Sequence, residues 1–234
     1  MKRTVQIAAL AAACAAGYGL AAWRAARPQN VRAAFHRLFH KLGEQTYQKT
    51  HWFGVHAQKC PLDMWVFQEI LHETRPDVLV EAGTYKGGSA YYFASLFDLM
   101  GRGRVVTIDI EDHKEKPAHP RITYLLGSST APAIVERVRQ SIHPGEKVMV
   151  VLDSDHHAAH VREELRLYSG LVTPGCYLVV EDTHFNGHPI MPGWGAGPAE
   201  ALADFLRSDT RFQVDSSREK FLMSFNPGGY LRRR

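Results

Sequence analysis

Acidic side chains end two apolar runs of the sequence, VVLDSDHHAAH (Val150–His160) and VVEDTHFNGHP (Val179–Pro189). If both runs end in strands of one parallel sheet, they deliver their carboxylates to the same edge. Four acids in one crevice repel each other unless a cation neutralises them. Oxygen ligands suit Mg²⁺, and nearby imidazoles raise Mn²⁺, Fe²⁺ or Zn²⁺ as alternatives. The candidate metal ligands are Asp153, Asp155, Glu181 and Asp182; the alternative interpretation is a set of helix caps and turn acids.

A histidine, His156, follows these acids closely and is the candidate catalytic base. An unperturbed histidine has a pKa of about 6.5, so it can accept a proton from a hydroxyl that a metal has acidified. Any histidine here can instead be a structural support of the metal site. The rival candidates are His157, His160, His184 and His188.

The stretch VEAGTYKGGSA (Val80–Ala90) has the pattern of a strand end, a glycine-rich turn and a helix start. Glycine lets the backbone approach a ligand closely, and the helix start offers free N–H groups. The alternative is an ordinary turn in which glycine serves only packing. The candidate ligand contacts are Glu81, Gly83, Thr84, Gly87, Gly88 and Ser89.

An acid, Asp109, ends the next apolar run and can accept hydrogen bonds from a ribose diol. The turn lacks G-x-G-x-x-G, which favours an adenosyl ligand over a nicotinamide dinucleotide. After LLGSST (Leu125–Thr130), Gly127, Ser128 and Ser129 approach an adenine, or the serines cap the next helix. Asp153, at the end of a later run, is a further candidate contact for the same ligand.

Strands and helices alternate from residue 77 onward, and the strands are near-continuous apolar runs. This rhythm predicts an α/β fold with a doubly wound, mostly parallel, seven-stranded sheet. The segments RFQVD and KFLMSF near the C-terminus are separated only by SSRE, so we expect them to pair as an antiparallel hairpin. Such a sheet with a terminal hairpin is the layout of class I methyltransferases.

The composition is that of a globular protein, because 45% of the 234 residues are hydrophobic and 22% are charged. The net charge of +4 is concentrated at the two ends of the chain, and no basic stripe with interleaved aromatics indicates a nucleic-acid surface. Three widely spaced cysteines indicate neither a disulfide framework nor a zinc site, which favours a reducing compartment.

The N-terminal segment Val5–Trp23 is uncharged, rich in alanine and close to the length that spans a bilayer. It is a candidate membrane anchor, a cleaved signal segment or a helix that does not insert. Basic residues follow it and favour a cytoplasmic position for the rest of the chain. Residues 24–60 then form a basic helix (Asn30–Leu42), which lies on a membrane surface or caps the domain, and a covering loop. Residues 61–234 form the catalytic domain.

Several stretches together resemble the cephalosporin hydroxylase / rhamnosyl O-methyltransferase family. They are W-F-G (Trp52–Gly54), P-L-D-M-W (Pro61–Trp65), Q-E-I (Gln68–Ile70), VEAGTYKGGSA, IDI (Ile108–Ile110), LLGSS, VMVVLDSDH, LVTPGCYLVVEDTHFNGHP and REKFLMSFNPGGYLRR. The resemblance implies a class I S-adenosylmethionine fold with a divalent metal, usually Mg²⁺, held by one Asp and a Glu-Asp pair. Glu181 and Asp182 match the pair. Asp153 and Asp155 both stay open as the single Asp, and Asp153 places His156 three residues on, as in sugar O-methyltransferases with a catalytic histidine.

The sequence therefore predicts a metal-dependent, S-adenosylmethionine-dependent O-methyltransferase that acts on a hydroxyl of a sugar, a glycolipid or a glycosylated metabolite. Further expectations are a homo-oligomer, no nucleic-acid partner, and membrane contact through the N-terminal segment. Two alternatives are a hydroxylase or oxidoreductase component on the same fold and a non-catalytic partner of a biosynthetic complex.

Overall fold

The structure is a computed structural model that describes residues 26–234 together with Gly17, Gly19 and Trp23. The predicted anchor or signal segment, Val5–Trp23, therefore lies almost wholly outside the described residues. Among the residues that are described, no helix has both the length and the apolar character needed to cross a bilayer.

A seven-stranded sheet forms the centre of the described structure, and a separate two-stranded ribbon precedes it in the chain. The ribbon consists of β1 (His51–Trp52) and β2 (Val55–His56). The sheet strands are β3 (Val78–Ala82), β4 (Arg104–Asp109), β5 (Ile122–Leu126), β6 (Val148–Leu152), β7 (Tyr177–Val180), β8 (Phe212–Val214) and β9 (Tyr230–Arg233).

The strand order in the sheet is β5-β4-β3-β6-β7-β9-β8. The first five strands of this order are parallel, whereas β9 runs antiparallel to both β7 and β8. The chain passes from β3 to β4 and β5 on one side, and then crosses to β6 on the other side of β3. A crevice opens at the carboxyl ends of strands at such a switch point.

Helices cover both faces of the sheet, as the alternating pattern predicts. Proline stands at the start of four of them, where its missing N–H costs no hydrogen bond. The helices are α1 (Pro28–Lys41), α2 (Pro61–Thr74), α3 (Gly88–Met100), α4 (Pro132–Gln140), α5 (Ala158–Tyr168) and α6 (Pro198–Ser208).

Side chains of the parallel strands alternate between two cores, because successive residues of a strand point to opposite faces. Val78 and Val80 pack in the core that includes residues of α4, α5 and α6. Leu79 and Met149 pack in the core that includes residues of α2 and α3. The doubly wound α/β fold expected from the sequence is thereby confirmed.

The antiparallel C-terminal strands are also confirmed, but the expected partner of RFQVD is wrong. The segment Lys220–Phe225 is not a strand; the strand that pairs with β8 is β9, further along the chain. Buried Asp63 on α2 explains the difference, because it accepts hydrogen bonds from Phe225 N and from the Tyr230 hydroxyl, both at 2.8 Å. Phe225 is thereby fixed in a loop that packs against Cys60.

Candidate active site

A cavity of about 750 Å³ opens at the carboxyl ends of β3 to β7. Its volume lies within the range of small-molecule sites. The walls come from the strand ends, from α1 and from the segment after β2, which lies directly before α2. The lining residues include His40, Lys59, Gly83, Thr84, Ser89, Asp109, Gly127, Ser128, Ser129, Asp153, Asp155, His156, Asp182, His184, Phe185 and Phe225.

Asp109 stands at the end of β4 on the cavity wall, where the sequence placed the ribose-binding acid. Its Oδ2 accepts the Tyr85 N–H at 2.7 Å, and its Oδ1 accepts the Glu111 N–H at 2.9 Å. A carboxylate offers about four lone-pair sites, so each oxygen retains capacity to accept a hydroxyl of a ligand. The acid therefore fixes the glycine-rich turn and is available to a diol.

The glycines of the turn serve close packing of the backbone. Gly83 has φ +98°, and a Cβ there would lie 1.8 Å from the carbonyl oxygen of Asp153. A Cβ on Gly88 would lie 2.2 Å from the carbonyl oxygen of His56. Gly83 lines the cavity, whereas Gly87 and Gly88 do not appear in its walls. Gly88 therefore serves close packing, and contact of Gly87 and Gly88 with a ligand stays a prediction.

Glu81 lies behind the cavity wall, fully buried at the end of β3. Its Oε2 accepts a hydrogen bond of 2.6 Å from the Thr107 hydroxyl, while its Oε1 finds no hydrogen-bond partner among the described residues. Burial raises the pKa of Glu81 to about 7, against the opposing charge of Lys59. A carboxyl group of this kind holds its neighbours through hydrogen bonds in either protonation state.

The residues that follow β5 line the cavity and also form hydrogen bonds that support its wall. Gly127 and Ser128 line the cavity beside β5, as does Ser129. Ser129 is buried, donates to Glu164 Oε1 at 2.6 Å and lies 3.0 Å from His160 Nε2. The same Glu164 oxygen accepts the Ser154 hydroxyl at 2.6 Å. These bonds tie the ends of β5 and β6 together through α5.

Three of the four carboxylates predicted at the ends of β6 and β7 lie close together, those of Asp153, Glu181 and Asp182, and a lysine lies among them. Lys59, only 5% exposed, donates hydrogen bonds to Asp153 and to Glu181 Oε1, the latter at 2.7 Å. Burial by itself lowers the pKa of a lysine, but the charges of Asp153 and Glu181 outweigh it and hold the pKa of Lys59 above its ordinary value. Lys59 is thus an internal counter-ion of the acid cluster.

Sequence reasoning missed Lys59 because a single lysine in an irregular loop has no distinctive spacing. The backbone conformation orients its side chain. Lys59 N donates a hydrogen bond to the Thr50 hydroxyl at 3.0 Å, and the preceding Gln58 has φ +51°. The repulsion among four acids did predict a cation, but that argument does not distinguish an ammonium group from a metal.

Asp182 contacts two histidines at once. Its Oδ2 lies 3.2 Å from His156 Nε2, and its Oδ1 lies 3.0 Å from His184 Nε2. Burial raises the pKa of Asp182, but its interactions with His156, His184 and Lys59 outweigh burial and hold that pKa below the ordinary value. The backbone of Asp182 is in the left-handed region, with φ +55°, and its N–H donates to Asn226 Oδ1 at 3.1 Å. Left-handed residues other than glycine are strained and cluster at functional sites.

Asp153, His156 and Asp182 offer ligand atoms that all lie within 4.8 Å of one another. Two carboxylates and an imidazole fit a divalent cation, with Mg²⁺ favoured by the oxygens and Mn²⁺ or Zn²⁺ by the nitrogen. The Asp155 carboxylate lies outside this trio; it is about half exposed and 2.6 Å from His157 Nδ1. Glu181 is held toward Lys59. Of the two aspartates that the sequence left open, Asp153 belongs to this cluster and Asp155 does not; the assignment of either as a metal ligand stays a prediction.

The rival histidines have other partners. His157 stacks on Trp194, His160 lies against Glu164 and Ser129, and His188 lies 3.1 Å from Glu200. His184 is buried between Asp182 and a histidine of α1, His36, whose Nε2 lies 2.8 Å from His184 Nδ1. Of the five, His156 combines contact with Asp182 and a place on the cavity wall with partial exposure.

Burial, reinforced by the neighbouring His184, lowers the pKa of His36 to about 3. His36 therefore stays neutral in the folded protein at ordinary pH. The α1 helix is thereby attached to the site through the contact of His36 with His184, an attachment that the sequence pattern of α1 did not indicate.

Comparisons with known proteins agree on one family. A family model described as Rhamnosyl O-methyltransferase/CmcI matches residues 44–234. Curated relatives named Rhamnosyl O-methyltransferase are 38% identical: one from Mycobacterium leprae (strain TN), covering 88% of this chain and 91% of the relative, and one from Mycobacterium tuberculosis (strain ATCC 25618 / H37Rv), covering 88% and 86%.

Two solved structures of CmcI have the same fold. An apo structure superposes with a TM-score of 0.63 at 26% identity, covering 80% of this chain and 76% of that chain. A structure with Mg and SAM superposes with a TM-score of 0.63 at 25% identity, covering 80% and 77%.

Replacing the buried lysine should destabilise the protein. In Lys59→Met, Asp153 and Glu181 lose their counter-ion, and we expect the free energy of unfolding in the absence of divalent cations to fall by about 3–5 kcal/mol. Urea denaturation monitored by circular dichroism measures it. Lys220→Met, which breaks the more exposed pair of Lys220 with Glu69, should cost less than about 1 kcal/mol. Equal stability of Lys59→Met and the wild type would contradict the counter-ion role.

Lowering the pH should destabilise the protein through His36, which holds α1 against the domain. His36 has a pKa of about 3 when folded and about 6.5 when unfolded, so in this window the unfolded chain binds the extra proton and stability falls as the pH falls. Between pH 7 and pH 5 we expect the wild type to lose about 2 kcal/mol more than His36→Gln. Urea titrations at both pH values measure the difference. The exposed His72→Gln variant should behave as the wild type does; a wild-type pH dependence in His36→Gln would exclude this origin.

Proposed function

The chain belongs to the Rhamnosyl O-methyltransferase/CmcI family and is an S-adenosylmethionine-dependent O-methyltransferase. We propose that it methylates a hydroxyl of a sugar, with a divalent cation held by Asp153 and Asp182 beside His156. The observation that carries this proposal is that the trio, with its ligand atoms within 4.8 Å of one another, opens into the same cavity as Asp109 and the glycine-rich turn. One cavity thus holds both an adenosyl-binding wall and a cluster suited to hydroxyl activation.

The donor would occupy the wall formed by β3, β4 and β5. Asp109 would accept the ribose hydroxyls, Gly127 and Ser128 would line the adenine, and Gly83 and Thr84 would approach the amino-acid part. When bound, S-adenosylmethionine supplies a methyl group activated by a sulfonium. Small side chains along this wall leave room for the ligand without displacing the backbone contacts described above.

The cation would be held by Asp153 and Asp182, with Glu181 close by. When bound, a divalent cation supplies positive charge that orients a hydroxyl and favours its ionisation. Lys59 already neutralises part of the acid cluster, so the carboxylates stay close together before any cation enters. In this proposal Lys59 positions Asp153 and Glu181 and takes no part in the proton transfer.

His156 would be the catalytic base. Asp182 lies 3.2 Å from His156 Nε2 and holds the imidazole at the cavity wall. The acceptor hydroxyl gives its proton to His156 while its oxygen forms a bond to the methyl carbon, and the carbon–sulfur bond breaks to leave a neutral thioether. Proton removal by a positioned histidine contributes about 10²–10⁴-fold to a rate.

A sugar acceptor is favoured by the curated relatives, which are named Rhamnosyl O-methyltransferase. The cavity wall beside His156 carries the aromatic ring of Phe185, whose centroid lies 5.0 Å from that of His156. An aromatic wall beside polar groups suits a sugar ring, which has apolar C–H faces and polar edges.

The test of this function is donor binding followed by methyl transfer. Calorimetry should show binding of S-adenosylhomocysteine, and labelled S-adenosylmethionine should transfer its methyl group to rhamnosides in a sugar panel, with loss of activity in EDTA and recovery on adding Mg²⁺. Absence of donor binding would overturn the function. Oxygen-dependent product formation would favour the hydroxylase alternative, and donor binding without transfer to any sugar would favour the non-catalytic one.

The two candidate aspartates should differ in metal affinity. Asp153→Asn removes a ligand of the trio, so we expect affinity for Mn²⁺, measured by titration with electron paramagnetic resonance, to fall at least about tenfold. Asp155→Asn should change it less than about twofold, because that carboxylate contacts His157 instead. The reverse order of effects would assign Asp155 as the ligand.

Replacing the proposed base should separate catalysis from binding. We expect His156→Gln to lower kcat by about 10²–10⁴-fold with unchanged affinity for S-adenosylhomocysteine and Mn²⁺. The neighbouring His157→Gln is the control and should retain activity. If Mn²⁺ affinity falls together with kcat in His156→Gln, His156 is a metal ligand and the assignment as base is wrong.

A further inference from the structure

The α1 helix exposes a row of large apolar side chains on the side away from the cavity. Val31, Phe35, Leu38 and Leu42 are 52%, 51%, 52% and 37% exposed, at the spacing of one helical face. The opposite side of α1 is fixed to the domain: His36 stacks on Phe225 and is bonded to His184. The exposed row therefore belongs to a helix that is held in place.

The apolar row continues onto the neighbouring loop. Arg32 Nε donates to the carbonyl oxygen of Leu222 at 2.6 Å, and the Leu222 side chain is 63% exposed. We call Val31, Phe35, Leu38, Leu42 and Leu222 the outer apolar face. Contiguous exposed apolar surface of this kind marks a site of interaction with a protein or a membrane.

The charged side chains of α1 itself are all basic. The sequence contains no Asp or Glu before Glu44, whereas Arg27, Arg32, Arg37 and Lys41 lie on or directly before α1. Within residues 26–234 no carboxylate pairs with Arg37 or Lys41. A helix with an apolar face, basic flanks and no acids is typical of peripheral helices that lie in the headgroup region of a bilayer.

We propose that the outer apolar face of α1 docks on an anionic lipid surface. The apolar side chains would enter the boundary between headgroups and acyl chains, and Arg37 and Lys41 would lie against anionic headgroups. A second copy of the chain fits less well, because pairing two such faces brings their unpaired basic residues together. His40, on the opposite side of the same helix, lines the cavity, so the cavity would lie across α1 from the lipid. The proposal is independent of the proposed function.

Vesicle binding by the full chain tests the docking. The wild type should sediment with vesicles of phosphatidylglycerol and phosphatidylcholine, less with phosphatidylcholine alone, and less at high salt. Phe35→Glu combined with Leu38→Glu should weaken binding at least about tenfold. Arg37→Gln combined with Lys41→Gln should weaken binding to the anionic vesicles, also about tenfold, and leave binding to phosphatidylcholine vesicles unchanged. Leu99→Glu, at a residue of α3 that is 85% exposed, is the control and should bind as the wild type does.

A label on α1 separates its contribution from that of residues 5–23. Leu38→Cys in a Cys14→Ser background, coupled to an environment-sensitive fluorophore, should be quenched by brominated lipids, whereas the same label at Leu99→Cys should not; Cys60 and Cys176 are buried. Circular dichroism and thermal unfolding verify that each variant is folded. The proposal is overturned if the label at 38 is not quenched, if the Glu variants bind as the wild type does, or if the wild type is a dimer that Phe35→Glu dissociates.

Discussion

The structure depends on how negative charge is tolerated at the ends of β6 and β7. Two adjacent parallel strands deliver three acids to one partly buried place, and like charges at such distances raise each other's pKa or demand a cation. Lys59, in the loop before α2, pairs with Glu181, and His156 and His184 contact Asp182. These contacts offset part of the repulsion among the acids. Because these counter-ions come from the loop before α2 and from the ends of β6 and β7, the charge cluster holds together elements that are far apart in sequence.

This charge balance also explains the arrangement of the N-terminal helix. His184 is buried, with Asp182 at its Nε2 atom. The group that faces its Nδ1 atom must therefore form a hydrogen bond with it inside the protein. His36 does this as a neutral imidazole. A positively charged side chain in place of His36 would put a buried positive charge beside His184, which already contacts Asp182. The packing of α1 is therefore an extension of the electrostatics of the acid cluster.

The features that sequence predicted are those governed by local rules. Apolar runs gave the parallel strands, Gly83 marked the turn at β3, and the acids of β6 and β7 indicated a shared edge because parallel strands end together. Features that arise from long-range contacts were missed or misplaced. Lys59 is aimed by a left-handed residue and a bond to Thr50, and Phe225 is withdrawn from the sheet by Asp63. Neither contact follows the spacing of a helix or a strand, so a periodicity in the sequence does not predict it.

The contact between Gly83 and the carbonyl of Asp153 has a further consequence. The space for a Cβ at Gly83 is already filled by that carbonyl, so the glycine-rich turn and the end of β6 are in direct contact. A ligand that pushes the turn toward this carbonyl would also displace Asp153. Coupling between two binding sites is reciprocal, so if donor binding changes the affinity for a cation, cation binding changes the affinity for the donor by the same factor. The order in which the two enter would then govern rates but leave the final equilibrium unchanged.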